Sequence, residues 1–153
     1  MTEVEIVEVS PQPTAVVRAT VGWDGLRDLY DRGFAAVFAT AAAQGVQLVG
    51  APFGFYPVPP GEQVTLEVGA VVSRPIDGDG DVVPGELPGG RVARIMHVGP
   101  YDTLSQTYEA LREWMAEQDV NPGMGMWEVY LDDPSATTDP ATLRTEVNWL
   151  LAD

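Results

Sequence analysis

The alternation of apolar and polar residues is clearest in the stretch 126–131, Met-Trp-Glu-Val-Tyr-Leu. This pattern predicts a β-strand in which Trp127 and Val129 face one side of a sheet, while Glu128 and Tyr130 face the other. Burying even a neutral polar group without a hydrogen-bond partner costs roughly 2–7 kcal/mol of free energy. Glu128 is therefore expected either on a wet face or in a pocket that receives a polar or cationic group.

The same kind of pattern divides the rest of the chain into two similar halves. Apolar positions at steps of three and four predict helices over 22–44 and 102–118. Extended segments rich in branched and aromatic residues predict strands, and 46–58 pairs with 64–73 as a hairpin. The predicted strands are 3–9, 15–21, 46–58, 64–73, 91–98, 124–131 and 143–151. Each half therefore follows the order strand–helix–strand–strand.

Residue matches between the halves support a duplication. Arg18 aligns with Arg94, and Glu67 aligns with Glu146, each within a similar local sequence. Two half-domains related by an approximate twofold axis leave a seam, and seams of this kind often bind ligands. The chain is predicted to be a single domain over 1–153, made of repeat one (1–75), an irregular linker (76–90) and repeat two (91–153).

Composition narrows the class of protein. The 153 residues carry 23 acids against 8 bases, all of them arginine, for a net charge of −15. Such a charge disfavours direct binding to nucleic acid and attracts cationic ligands, although it is also compatible with an ordinary acidic surface. The absence of cysteine excludes disulfides and thiolate sites. With no leader-like segment and no apolar run of membrane-spanning length, a cytoplasmic protein without membrane contact is expected.

Motifs for metal, cofactor or covalent chemistry are weak. His97 is the only histidine, and no further ligands stand at a workable spacing from it. Asp77-x-Asp79-x-Asp81 resembles the start of a calcium loop, but Pro88 occupies the twelfth position, where an EF-hand requires Glu. No Gly-x-Ser-x-Gly and no dinucleotide-binding glycine loop is present. No catalytic residue, metal or cofactor is therefore predicted.

Four motifs, taken in order, resemble a known family. They lie at 97–104 (His-Val-Gly-Pro-Tyr-Asp-x-Leu), 127–131 (Trp-Glu-Val-Tyr-Leu), 132–134 (Asp-Asp-Pro) and 145–147 (Thr-Glu-Val). Together they resemble the GyrI-like, or AraC-type effector-binding, domain. The resemblance implies an α+β fold: a tandem pseudo-twofold repeat of a β-α-β-β unit, with an antiparallel sheet, helices on the outside and a concave ligand groove. Members include effector domains of multidrug-responsive transcription regulators, stand-alone binding proteins and a few cyclopropane-opening hydrolases.

The resemblance also implies a set of site residues. Glu128 corresponds to the buried groove glutamate that pairs with lipophilic cations, and Glu146 and Glu67 correspond to acids on the last strand of each repeat. Two simpler roles stay open: Glu128 facing solvent or paired with arginine, and Glu146 only bridging the sheet. Whether the two acids line one cavity is also open. The aromatic residues expected beside them are Tyr130, Trp127, Phe55, Tyr56, Trp149 and Tyr101.

Three functions are compatible with these observations. The leading hypothesis is a stand-alone, non-enzymatic binder of lipophilic, cationic or aromatic compounds that serves drug or toxin sensing or sequestration. No DNA-binding segment is expected within the chain, and no protein partner is identified. The second hypothesis is a hydrolase that opens reactive cyclopropanes, with Glu128 as general acid or base. The third is a protein-interaction module of the gyrase-inhibitor type, which the acidic charge supports.

Overall fold

The computed structural model describes residues 3–58, 61–132 and 139–152. Its two helices are α1 (Leu26–Ala43) and α2 (Leu104–Glu117), and each follows a short 3-10 turn, Trp23–Gly25 and Tyr101–Thr103 respectively. The strands are β1 (Glu5–Val9), β2 (Gln12–Gly22), β3 (Phe53–Tyr56), β4 (Gln63–Val71), β5 (Val82–Leu87), β6 (Gly90–Val98), β7 (Pro122–Tyr130) and β8 (Arg144–Leu151).

All eight strands form one antiparallel sheet in the order β1-β6-β8-β7-β3-β4-β2-β5. The units β2-α1-β3-β4 and β6-α2-β7-β8 occupy equivalent places on either side of the β3–β7 boundary. The α+β fold with two β-α-β-β repeats, predicted from the sequence, is thus confirmed. The repeats meet where two antiparallel strands pair, and this boundary is therefore the position of the pseudo-twofold axis.

Strand pairing identifies the equivalent residues at this boundary. Phe55 pairs with Glu67 in repeat one, and Val129 pairs with Glu146 in repeat two. Since Glu67 and Glu146 correspond, the residue before Phe55 is the counterpart of the residue before Val129. Gly54 is therefore the counterpart of Glu128, and the two lie directly opposite each other across β3 and β7.

Two predicted segments differ from the structure. The strand predicted over 46–58 is regular only in β3, because Gly50 and Pro52 interrupt the extended pattern before Phe53. The linker predicted as irregular over 76–90 contains β5, which pairs with β2 at the edge of the sheet. An edge strand tolerates the Pro84-Gly85 pair within β5, since only one side of it must form a complete ladder.

Both helices pack on the same face of the sheet, each over its own repeat. Leu29 and Val37 of α1 are buried with residues of β2 and β4, while Leu111 and Met115 of α2 are buried against β6, β7 and β8. Full burial of each such side chain contributes about 1.5–3 kcal/mol. The β3–β7 boundary lies between these two cores. Neither helix of the described part of the chain is long and apolar enough to cross a membrane.

The opposite face of the sheet is concave. Only Ser10 and Pro11 connect β1, at one end of the strand order, to β2 near the other end. The sheet must therefore curl until its two edges approach each other. A Cβ added to Gly89, in the matching β5–β6 connection, would lie 2.5 Å from Cδ of Pro11. A third apolar cluster, which includes Phe53 and Trp127, lines the inside of this curl.

Candidate functional site

A buried carboxylate lies at the boundary between the repeats. Glu128 is on β7, faces the helices and is only 7% exposed. Its Oε2 accepts a hydrogen bond of 2.7 Å from the hydroxyl of Tyr108 on α2. Its Oε1 accepts one of 2.7 Å from the hydroxyl of Tyr130, two residues further along the same strand. Both oxygens of the carboxylate therefore have a phenol donor.

Two further tyrosines extend this contact into a chain of hydroxyls. The hydroxyl oxygens of Tyr130 and Tyr30 are 2.8 Å apart, and those of Tyr30 and Tyr56 are 2.6 Å apart. A phenol carries one proton, so Tyr130 cannot donate to both Glu128 and Tyr30. When Glu128 is ionised, the donors must run from Tyr56 to Tyr30, from Tyr30 to Tyr130, and from Tyr130 to the carboxylate.

The four tyrosines are two symmetric pairs. Tyr30 on α1 corresponds to Tyr108 on α2, because each lies four residues after the first leucine of its helix. The registers that match Gly54 with Glu128 also match Tyr56 with Tyr130. The arrangement of the four tyrosines is thus nearly symmetric, whereas the carboxylate is present in repeat two only.

Gly54 explains why a single carboxylate is present. A Cβ added to Gly54 would lie 2.2 Å from the hydroxyl oxygen of Tyr30 and 3.0 Å from two carbons of its ring. Tyr30 thus lies directly over the glycine, which lets its hydroxyl reach Tyr130 and Tyr56. The space that a second acid would fill is taken by the phenol that completes the network.

Burial dominates the electrostatics of the site. Burial raises the pKa of Glu128 above its ordinary value, although the hydrogen bonds from Tyr108 and Tyr130 and the proximity of His97 oppose the rise. Burial, with the nearby carboxylate, also raises the pKa of each of the four tyrosines, so their hydroxyls stay protonated as donors. Among the described residues, no arginine lies within ion-pair distance of Glu128. The carboxylate is therefore held by neutral phenol donors and has no arginine partner among these residues.

An aromatic wall connects the site to the surface. The ring of Tyr130 contacts those of Phe34 and Tyr101 edge-on, with centroids 6.3 and 5.7 Å apart. Phe34 in turn stacks on Phe38, with centroids 6.3 Å apart and planes at 13°. Phe38 and Tyr101 are 40% and 38% exposed. These two exposed rings mark the surface end of the wall, between α1 and the turn before α2.

The sequence-predicted site residues are divided between the two faces of the sheet. Glu128, Tyr130, Tyr56 and Tyr101 lie together on the helix face. Trp149 is on the same face one step further out, where its ring contacts Tyr108 at 6.3 Å between centroids.

The remaining predicted residues lie on the concave face, because neighbours along a strand point to opposite sides. Phe55 and Trp127 contact each other there, with centroids 6.1 Å apart. Glu146 pairs with Arg94 on that face, with Nε and Oε1 3.3 Å apart. Glu128 and Glu146 therefore do not line the same cavity.

Sequence analysis missed the helix residues of the site. Tyr30, Phe34 and Tyr108 fit the apolar stripes of their helices, and that pattern predicts a core position and no more. A usable signal was present, since both tyrosines occupy the same position in the two repeats and a buried phenol normally needs a hydrogen-bond partner. His97 is tied down structurally: its ring nitrogens lie 2.7 Å from the hydroxyl of Thr107 and 2.9 Å from the carbonyl oxygen of Pro100.

Glu128→Gln should stabilise the ligand-free protein at neutral pH. The folded state holds the Glu128 proton more tightly than the unfolded chain, so stability falls as the pH rises from the ordinary carboxyl pKa through the raised one. The amide carries no charge to desolvate and has the same shape. A gain of about 1 kcal/mol would raise Tm by about 2–4 °C in a domain of this size. Thermal unfolding from pH 4 to 9 measures the effect; a lower Tm for Glu128→Gln throughout that range would contradict it.

A sequence model described as the GyrI-like small molecule binding domain matches residues 2–151, nearly the whole chain. The chain belongs to this GyrI-like family. No curated protein matches the sequence significantly.

Solved structures share the fold at low sequence identity. The EcmrR C-terminal domain is 18% identical, with a TM-score of 0.86 over 100% of this chain and 99% of that one. This chain spans 57% of the longer EcmrR chain solved with DNA. SAV2435, solved with bound tetraphenylphosphonium, is 12% identical, with a TM-score of 0.65 over 97% of this chain and 93% of that one. A hydrolase from Listeria innocua is 16% identical, with a TM-score of 0.65 and coverages of 98% and 92%.

Proposed function

We propose that this chain binds lipophilic cations at the boundary between its repeats, with Glu128 as the charged anchor. The observation that carries the proposal is a buried carboxylate whose oxygens are bonded to neutral phenols. A cation placed beside it would supply the missing countercharge, and the charge pair would interact strongly because water is excluded.

The aromatic wall supports the same class of ligand. The faces of Tyr and Phe attract a cation by about 0.5–2 kcal/mol each, with the larger values where water is excluded. Tyr101 and Phe38 offer exposed ring surface at the entrance, and Phe34 continues it to Tyr130. Such contacts depend on ring surface rather than on directed hydrogen bonds, so they suit ligands of varied shape. Sensing or sequestration of cationic drugs or toxins follows as the proposed role.

The structural neighbours are consistent with this proposal. SAV2435 is a similar fold solved with a lipophilic cation, tetraphenylphosphonium. At 12% identity that likeness supports the fold alone, so the argument for a cation rests on Glu128 and its surroundings. An interaction module that relies on its acidic charge would be expected to display its acids in a surface stripe. The burial of Glu128 at the repeat boundary favours the small-molecule function instead.

A matched pair of ligands tests the proposal. Isothermal titration of the protein with tetraphenylphosphonium and with triphenylphosphine oxide compares a lipophilic cation with an uncharged compound of related shape. We expect the cation to bind at least about tenfold more tightly, because a charge-assisted contact contributes about 1.5–3 kcal/mol. Equal affinity for the two compounds would show that the site selects for apolar surface and not for charge.

A hydrolase is the second candidate, and the raised pKa of Glu128 is the observation that favours it. A carboxyl group that keeps its proton closer to neutral pH can act as a general acid, with Tyr130 or Tyr108 assisting. Mass spectrometry of a cyclopropane-bearing compound after incubation separates this function from binding. We expect recovery of the unchanged compound; addition of water that depends on Glu128 and exceeds the rate in buffer would establish the hydrolase.

A further inference from the structure

A cavity lies on the concave face of the sheet, away from both helices. Its volume is about 160 Å³. Its apolar lining includes Phe53, Trp127 and Val129. The polar lining includes a charged pair, Arg94 and Glu146. The cavity therefore combines aromatic and aliphatic surface with groups that can donate and accept hydrogen bonds.

This cavity is separate from the Glu128 site. Trp127 and Val129 are the immediate neighbours of Glu128 in β7, and adjacent side chains of a strand point to opposite faces. The strand itself thus divides the two sites. A ligand in this cavity would contact the concave face of the sheet and not the four tyrosines, which lie on the helix face.

The charged side chains of the cavity are held in place by hydrogen bonds, but they keep donor and acceptor atoms for a ligand. Nε of Arg94 lies 2.7 Å from Oδ1 of Asn148 and 3.3 Å from Oε1 of Glu146. Nδ2 of Asn148 lies 3.1 Å from the same Oε1. All three contacts use Nε of the arginine or Oε1 of the glutamate. The Nη hydrogens of Arg94 and the Oε2 atom of Glu146 are not used in them.

Both repeats line the cavity, but only the arginine–glutamate pair of repeat two reaches it. Arg18 and Glu67, which match Arg94 and Glu146 in sequence, lie directly opposite each other with Nε and Oε2 2.8 Å apart, but they do not line the cavity. Arg94 instead lies opposite Asn148 and reaches Glu146 diagonally.

Part of the cavity wall comes from residues 49–51, which precede β3. At the matching place in repeat two, residues 123–125, β7 is present but its pairing with β8 shifts register between Pro122 and Met126. The wall at 49–51 comes from the irregular segment that precedes β3.

We propose that this cavity is a second ligand site, for small uncharged aromatic amides or lactams. The ring of such a ligand packs against the partly exposed Val71 and Val129. Its carbonyl oxygen accepts a hydrogen bond from an Nη of Arg94, and its N–H donates to Oε2 of Glu146. A carboxamide carries this acceptor and donor side by side, so it can bridge the pair without separating it.

Size and charge both limit the ligand. An engineered apolar protein cavity of about 150 Å³ binds benzene, so a cavity of about 160 Å³ admits one aromatic ring with a small substituent. The charges of Arg94 and Glu146 cancel. A charged ligand would pair with one of them and leave the other half-buried without compensation, which is unfavourable. This selection is the opposite of the one proposed for Glu128.

Benzamide is a suitable probe, with toluene and benzoate as matched comparisons of similar size. In ligand-detected NMR titrations of the full chain, we expect benzamide to bind with a Kd of about 1 mM, typical for so small a ligand. Toluene and benzoate should bind at least about threefold more weakly. Glu146→Gln should weaken benzamide binding about tenfold. Glu67→Gln, its counterpart in repeat one, should leave the Kd unchanged.

Two further measurements assign the binding to the cavity. Ala51→Phe, which fills the cavity from residues 49–51, should abolish benzamide binding but leave binding of tetraphenylphosphonium intact. Glu128→Gln should not change the benzamide Kd. Loss of benzamide binding in Glu128→Gln, equal effects of Glu146→Gln and Glu67→Gln, or no binding to the wild-type chain would each overturn the proposal. None of these results bears on whether cations bind at Glu128.

Discussion

Glu128→Gln is expected to weaken the binding of tetraphenylphosphonium by roughly ten- to a hundredfold. The substitution keeps the volume of the side chain and one carbonyl oxygen for the phenol donors, but removes the charge that would compensate the cation. A hydrogen-bonded or close charged contact contributes about 1.5–3 kcal/mol, and each 1.4 kcal/mol is about tenfold in Kd. Isothermal titration at neutral pH and low ionic strength measures the change directly.

Glu146→Gln is the matched control for this experiment. It makes the same chemical change on the neighbouring strand, but on the concave face, where the acid is paired with Arg94. The control should bind tetraphenylphosphonium as tightly as the wild type. Because Glu128→Gln is expected to be at least as stable as the wild type, loss of affinity could not be attributed to unfolding. Equal affinities for all three proteins would show that Glu128 is not the anchor.

Gly54→Ala is expected to destabilise the protein by roughly 2–4 kcal/mol. The new Cβ would lie 2.2 Å from the hydroxyl of Tyr30, which must then move away from Tyr130 and Tyr56. Overpacking costs about 1–3 kcal/mol, and each lost hydroxyl contact costs about 1 kcal/mol. Together these exceed the gain of about 0.5–1 kcal/mol from replacing glycine in a strand. Urea unfolding at equilibrium measures the difference.

A double-mutant cycle identifies the clash as the cause. Tyr30→Phe removes the hydroxyl nearest to the new methyl group, so Gly54→Ala should cost less in that background than in the wild type. The rescue should be partial, since two ring carbons of Tyr30 also lie 3.0 Å from the Cβ position. Gly61→Ala is the neutral control, because a Cβ there meets nothing within 4 Å. Equal costs in both backgrounds would show that Tyr30 is not the residue displaced.

The duplication could be predicted because both of its signals are local. Helical stripes and strand alternation depend on neighbours in the sequence, and the correspondence of Arg18 with Arg94 needs no knowledge of the fold. The same alternation correctly placed Glu128 and Tyr130 on one face and Trp127 on the other. The family resemblance placed Trp127 beside Glu128 among the expected site residues, and the pleat of β7 puts their side chains on opposite faces of the sheet.

The helix residues of the site could not be placed by periodicity. Tyr30 and Tyr108 fit the apolar stripe of an ordinary amphipathic helix. The spacing of that stripe does not show which group each tyrosine hydroxyl contacts. Their roles depend on the distance between each helix and the β3–β7 boundary, and on the space left at Gly54, where glycine has no side chain. Both are consequences of packing between segments that are far apart in the chain.

The sequence alone predicted the two repeats and the strand that carries Glu128, because both depend on local pattern. It also predicted that a carboxylate would lie near aromatic residues, because these residues are neighbours along that strand. Tertiary structure alone decided which aromatic residues reach that carboxylate. Closing the sheet through Ser10 and Pro11 placed Glu146 and Trp127 inside a curl on one side, while the helices enclosed Glu128 among four tyrosines on the other. The physical reason is that burial, and with it the pKa and pairing of an acid, is set by the surfaces that meet around it.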